Sequence, residues 1–96
     1  MYARITTYHC KNEMRDEAVA LFEKMKSEIM AISGMKHMFH TCDEDGNCAM
    51  IAIYESREMA EAATDNARAL FARFADYIDS ELQPHGYEVL VHVTNP

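Results

Sequence analysis

The sequence predicts an α+β plait in the order βαββαβ, with four antiparallel strands in one sheet and two helices on one of its faces. Three observations carry that prediction. Two long stretches place apolar residues at three- and four-residue steps, while four short runs are rich in β-branched and aromatic residues. The two middle runs, Met35–Cys42 and Cys48–Glu55, are separated by Asp43-Glu44-Asp45-Gly46-Asn47, a hairpin-length turn. The stretch Ala49–Ser56, read Ala-Met-Ile-Ala-Ile-Tyr-Glu-Ser, ends on a helix-start signal and leads into the longest helical pattern. A buried central strand with a hairpin on one side and a crossover helix on the other has this form.

The first strand is Tyr2–His9, free of Gly and Pro. Ala3, Ile5 and Thr7 make a small or apolar face, and Tyr2, Arg4, Thr6 and Tyr8 a large or polar one. Asn12 offers an N-cap, and Glu13, Asp16 and Glu17 place negative charge where the helix dipole favours it. Ala18, Leu21, Phe22, Met25, Ile29 and Ile32 then form one apolar stripe on a helix from about Glu13 to Ile32. Gly34 suits the left-handed position past its end.

In the hairpin, a three-residue loop of Glu44, Asp45 and Gly46 is preferred, with Gly46 at positive φ. It pairs Asp43 with Asn47 and Cys42 with Cys48, and puts Lys36, Met38 and His40 on one face with Met50, Ala52 and Tyr54. A two-residue loop would shift the register by one and bring His37, Phe39 and Thr41 to that face instead. Ser56 is the N-cap of the second helix, whose stripe is Met59, Ala63, Ala67, Leu70, Phe74 and Ile78. Asp65 with Arg68, and Arg73 with Asp76, are i,i+3 pairs on its wet face. The helix is expected to end near Asp79 or Ser80. Tyr87–Thr94 is the expected fourth strand, with Val89, Val91 and Val93 on one face and Glu88, Leu90 and His92 on the other.

The 96 residues read as a single domain, 1–96. A chain of this size buries only about two-thirds of its unfolded surface, so self-association is a common way to gain core. The net charge of −7, with no long basic run, argues against a nucleic acid or an anionic membrane as partner. No stretch approaches the roughly 20 apolar residues of a membrane span, and the N-terminus lacks a signal-peptide core, so a cytoplasmic location is expected. Three cysteines do not look like a secreted disulfide framework. Cys42 and Cys48 flank the turn and could face each other across it; they are expected as free, half-buried thiols. No metal or cofactor is expected. His37 and His40 point to opposite faces, and His40 with Cys42 falls short of the four ligands of a structural zinc site. His9, Cys10 and His85 are expected in exposed loops.

This element order is the ferredoxin-like plait, and right-handed crossovers put both helices on one face. The Ala49/Ile51/Ile53 and Val89/Val91/Val93 faces are assigned to the helix side. The opposite face then carries Tyr8, Met38, Met50, Tyr54 and Leu90, too much apolar and aromatic surface to leave wet. A two-fold mate is expected to cover it, giving a homodimer through the open sheet face.

With these elements in place, the whole chain resembles the dimeric α/β-barrel superfamily, and most of all its antibiotic biosynthesis monooxygenase-type branch. The similar features are the opening strand, the helix ending in Ile-Ser-Gly-Met, the Asp-Glu-Asp-Gly turn, and the third strand running into Ile-Tyr-Glu-Ser. Members of that branch often have Trp-x-Ser where this chain has Tyr54-Glu55-Ser56. The resemblance implies a homodimer, a dimeric α/β barrel whose sheets enclose a cleft on each subunit. Members include cofactor-independent monooxygenases of aromatic polyketides, haem-degrading enzymes and proteins with no known reaction. The haem-degrading enzymes use an Asn on the first strand, a Trp at the end of the third and a His on the second helix. Here Thr6 or a neighbour, Tyr54 and no helix-two histidine stand in those places, and the chain has no Trp, so haem degradation ranks behind the other readings.

If the opposite face lines the cleft, its polar residues are Arg4, Thr6, Tyr8, His40, Tyr54 and His92. In the chemistry the resemblance implies, a base takes a proton from a phenol or another acidic C–H compound, and the anion reduces O₂ without metal or flavin. His40 and His92 are the candidate catalytic bases, since an imidazole titrates near neutral pH. Arg4, Thr6, Tyr8 and Tyr54 are the candidate substrate-binding residues for a small aromatic ligand, with Arg4 holding the anion and a tyrosine donating hydrogen bonds to it. The plainer alternative is a non-catalytic dimeric module that binds a small molecule or only itself. An open cavity lined by Arg4, His40 and His92 would favour the enzyme. A cleft filled by Tyr8, Tyr54, Met38 and Met50 would favour the module.

Overall fold

The computed structural model describes residues 1–96. Strand β1 (Tyr2–His9) is followed by α1 (Arg15–Met30), β2 (Met35–Cys42), β3 (Asn47–Tyr54), α2 (Arg57–Ala62), α3 (Thr64–Phe71) and β4 (Gln83–Glu88). The strands form one antiparallel sheet in the order β2-β3-β1-β4, and the helical segments pack on one face. This is the ferredoxin-like α+β fold.

The hairpin has the three-residue loop. Asp43 N–H donates to Asn47 O at 2.9 Å, Gly46 N–H donates to Asp43 O at 3.2 Å, and Gly46 sits at φ 88°. The Asp43 carboxylate accepts from the amides of Asn47 and Asp45, both at 2.9 Å, and these bonds hold it below its usual range. The register that follows is Cys42 opposite Cys48, His40 opposite Met50 and Met38 opposite Ala52, with a bulge between Met35 and His37.

Helix α1 begins through a 3₁₀ turn at Asn12–Met14 and takes no side-chain cap, so the Asn12 cap is not made. It ends before Gly34, whose φ is 83° and where a Cβ would meet Met59 Sδ at 2.5 Å. Ser56 does cap α2, its Oγ accepting from Met59 N–H at 3.1 Å. The second helical pattern is not continuous: it breaks at Ala63 (φ −84°, ψ −6°) and closes in a 3₁₀ turn, Ala72–Tyr77. Arg73 does not pair with Asp76. It forks onto both Glu28 carboxylate oxygens at 3.0 Å, tying this segment to α1, because a bidentate carboxylate satisfies a guanidinium better than a neighbour on its own turn.

Two expectations are corrected. The sheet face under the helices is the one with Tyr2, Tyr8, Cys48, Met50, Ala52 and Tyr54, not Ala49, Ile51 and Ile53. The helices present Ala18, Ala60, Ala63 and Ala67 inward, all buried. Alanines let a helix approach closely, and the long tyrosine and methionine side chains fill the layer that remains. Ala3, Ile5, Ala49, Ile51, Ile53 and Phe39 therefore lie on the open face. The fourth strand is Gln83–Glu88, not Tyr87–Thr94. As an edge strand it tolerates Pro84. Its ladder to β1 ends where Val89 N–H donates to Met1 O, and Leu90, Val91 and Val93 are 79–90% exposed. The valine run has high strand propensity but finds no partner strand within this chain.

Candidate functional site

A cleft of about 500 Å³ opens between the helix-side face of the sheet and α3. Strand alternation brings Arg4 and Thr6 of β1 to it, with Tyr54 of β3 on the same face. Helix α3 contributes Thr64, Arg68 and Phe71, which with Ala67 fall on one helical face at spacings of three and four. Pro84–Gly86 of β4 closes another side.

Arg4 is fixed by two contacts from one nitrogen. Its Nη1 donates to Ala60 O at 3.1 Å and to Thr64 Oγ1 at 3.0 Å. The Ala60 carbonyl lies in the last turn of α2, where helix carbonyls favour a cation. The rest of the guanidinium fork is left for the cleft. Tyr54 is 1% exposed. Burial pushes its phenol above the usual value while Arg4 pulls the other way, so the hydroxyl stays protonated and can donate. The lining holds two guanidiniums, Arg4 and Arg68, the hydroxyls of Thr6, Tyr54 and Thr64, and no carboxylate. In a chain of net charge −7 this is a locally positive cleft.

The other sequence candidates lie elsewhere. Tyr8 Oη and His40 Nδ1 are 2.5 Å apart, and His40 stacks on Phe22 with centroids at 4.4 Å. Burial, with Arg15 nearby, pulls His40 below its usual value, and burial pushes Tyr8 far up, so a protonated phenol donates to a neutral imidazole. Met50, Phe71 and Leu82 border both this half-buried pair and the cleft, and stand between them. His92 lies on the exposed segment past β4, within 3.1 Å of Thr94 Oγ1. Arg4, Thr6 and Tyr54 are thus brought together, Tyr8 and the half-buried His40 form a separate pair, and His92 joins neither.

Sequence reasoning missed Thr64, Arg68, Phe71 and His85. The three helical residues carried a legible signal in their common face, but Arg68 read as the wet partner of Asp65. Cys10 and His9 are not plain loop residues either. Cys10 is buried, and His9 bridges Asp79 Oδ1 at 2.6 Å and Asp45 O at 2.8 Å. No three of the His, Cys, Asp and Glu side chains converge as a metal site, and no helix is long and apolar enough to cross a membrane.

No family model matches the sequence, and no curated protein matches it. Solved structures do match the fold. One is a Nitrosomonas europaea protein that carries antibiotic biosynthesis monooxygenase as a provisional name, with TM-score 0.74, 16% identity, and coverage of 95% of this chain and 100% of that one. A Deinococcus radiodurans protein with the same provisional name has TM-score 0.75, 10% identity and coverage of 100% and 99%. A Nitrosomonas europaea protein of unknown function has TM-score 0.77, 16% identity and coverage of 99% and 94%. At such identities the likeness is one of fold.

Proposed function

We propose that this chain is a cofactor-independent, monooxygenase-like protein that holds a small phenolic or polyketide-like compound, as its anion, in the Arg4–Tyr54 cleft. The observation that carries this reading is the anchored Arg4 guanidinium in a cleft with a second arginine, three hydroxyls, an aromatic wall and no carboxylate. A phenolate beside two guanidiniums is stabilised relative to the phenol, so the cleft lowers the pKa of what it binds. The electron-rich anion can then donate to O₂. One oxygen atom of O₂ bonds to the activated carbon and the other takes up a proton, giving a hydroperoxide. That carbon then loses its remaining hydrogen as a proton, the O–O bond breaks, the outer oxygen leaves as water and a carbonyl remains. Arg4 and Arg68 hold the charge, Tyr54 and Thr6 orient the ring oxygen, and Phe71 covers the ring face. His40 and His92 have no part in this scheme.

Titration with a panel of naphthols, hydroxyanthrones and their methyl ethers tests it, with oxygen uptake followed in the same samples. Ionisable phenols should bind and the ethers should not, and Arg4→Met should lower phenol affinity at least tenfold, as expected for a lost charge-assisted contact of about 1.5–3 kcal/mol. Equal binding of phenol and ether would overturn the anion site. The place of His40 behind the Met50, Phe71 and Leu82 wall favours a second reading, a binding protein without turnover; phenol binding with no oxygen uptake would establish it.

The same proposal includes a homodimer. The open face carries Ala3, Ile5, Phe39, Ile51 and Ile53, and the exposed valines past β4 continue the apolar surface. A two-fold copy covers both at once, because each copy offers the same sheet face and the same unpaired segment. Light scattering at micromolar concentration should give twice the 11.0 kDa chain mass, and a mass of one chain would refute it.

A further inference from the structure

The hairpin holds a pair of thiols that the proposed cleft does not use. Cys42 and Cys48 are directly opposite each other on β2 and β3, on the helix-side face. The next pair toward the turn, Asp43 and Asn47, is joined by Asp43 N–H to Asn47 O. Ladder pairs alternate, so Cys42 and Cys48 are a non-hydrogen-bonded pair, whose Cα atoms stand about 4.5 Å apart. Disulfides span Cα separations of roughly 4.4–6.8 Å, so this pair can close without moving either strand far. Both cysteines are free here.

The two thiols are not equivalent. Cys48 is 5% exposed, while Cys42 is only partly buried, and both border an open groove at the end of the sheet. Arg15 Nη2 donates to Cys42 Sγ at 3.4 Å and also bonds Asp43 O. The negative charge that forms on an attacking sulfur therefore has a cation beside it. Burial and the Cys42 sulfur push the Cys48 thiol up to about 12, so it keeps its proton.

We propose that Cys42 and Cys48 are a peroxide-oxidised thiol pair, with Cys42 the attacking and Cys48 the resolving sulfur. The Cys42 sulfur attacks the peroxide O–O bond, taking one oxygen as a sulfenic acid and releasing an alcohol, or water from hydrogen peroxide. Cys48 then displaces that hydroxyl from the Cys42 sulfur. The hydroxyl leaves as water with the Cys48 proton, and the S–S bond forms. Two thiols lose two electrons in all, and the peroxide O–O bond accepts them. The product locks the hairpin across Asp43–Asn47 and removes the thiol that Arg15 contacts.

The test treats the reduced chain, freed of reductant, with a few equivalents of hydrogen peroxide. Thiol titration after denaturation should fall from three groups to one, and a non-reducing digest should contain a peptide joining Cys42 to Cys48 within one chain. In Cys48→Ser, a dimedone adduct should appear on Cys42. Three thiols surviving this treatment, a bond that includes Cys10, or a bond between two chains would each overturn the pairing. The thiol count and the peptide map come from the unaltered chain, so they decide the matter even if Cys48→Ser does not fold.

Discussion

Gly86→Ala should destabilise the fold through one contact. Gly86 lies on β4 opposite Arg4 and faces the helix side, where the ring of Tyr2 leans over it. A Cβ at Gly86 would stand 1.8 Å from Tyr2 Oη, 2.7 Å from Cζ and 3.1 Å from Cε2. Ordinary contact begins near 3.4 Å, so the hydroxyl would have to retreat by about 1.6 Å. Tyr2 is 9% exposed, and its ring is held within the core. Either the ring tilts against its neighbours or β4 lifts from β1. Overpacking of this kind costs about 1–3 kcal/mol. The reduced freedom of the unfolded chain offsets about 0.4–1 kcal/mol of it. The net loss is then about 1–2 kcal/mol, or roughly 5–10 °C in Tm for a domain of this size. Urea unfolding with matched slopes measures it directly. The decisive comparison repeats Gly86→Ala in a Tyr2→Phe background. Removing Oη abolishes the shortest contact but leaves Cζ, so the second cost should be smaller by about 1 kcal/mol, a coupling typical of touching residues. Equal costs in the two backgrounds, or a stabilising Gly86→Ala, would mean that Tyr2 does not lie over Gly86. The seating of β4 would then be wrong.

Three further outcomes are expected. Tyr54→Ala should cost about 3–5 kcal/mol in urea unfolding, because the side chain is almost wholly buried, so it cannot report on ligand binding. Tyr54→Phe should fold and lower phenol affinity several-fold by calorimetry, and unchanged affinity would leave Tyr54 as a core residue alone. Asp79 and Asp45 hold His9 above its ordinary value, so the folded state binds that proton more tightly than the unfolded one. The stabilisation is complete below the unfolded value near about 6.5 and fades as pH rises through the folded value. The difference in urea midpoint between the parent and His9→Asn should therefore be larger at acid than at alkaline pH. The difference is taken against the parent at each pH because His40, pulled down by burial, acts in the opposite direction in both chains.

Much of the fold is legible residue by residue. Ser56 reads as a cap, Gly34 as a left-handed stop, and Gly46 as the positive-φ member of a three-residue loop, and each does that in the structure. These choices depend on hydrogen bonds and dihedral angles within a few residues, which local chemistry decides. Strand alternation follows as directly. Once the loop sets Cys42 opposite Cys48, the common face of Met38, His40, Met50 and Tyr54 across the hairpin is settled.

Which side of the sheet that face looks toward was decided only in three dimensions. Ile51 and Ile53 are better strand-core residues by type than Tyr2 or Arg4. Yet the alanines of the helices leave a layer that long side chains must fill, and Arg4 finds Ala60 O and Thr64 there. The break at Ala63, the turn of Arg73 toward Glu28, and the unpaired valines past β4 have the same origin. So does the division of one polar face into two places, Arg4 with Tyr54 in the cleft and Tyr8 with His40 behind Met50, Phe71 and Leu82. The sequence by itself determined the first three strands, the first helix, the hairpin register and which residues alternate onto a common face within each of those strands. Tertiary structure decided what those faces meet, because that choice rests on the volumes and polar partners of segments distant in the chain, and no local pattern carries that information.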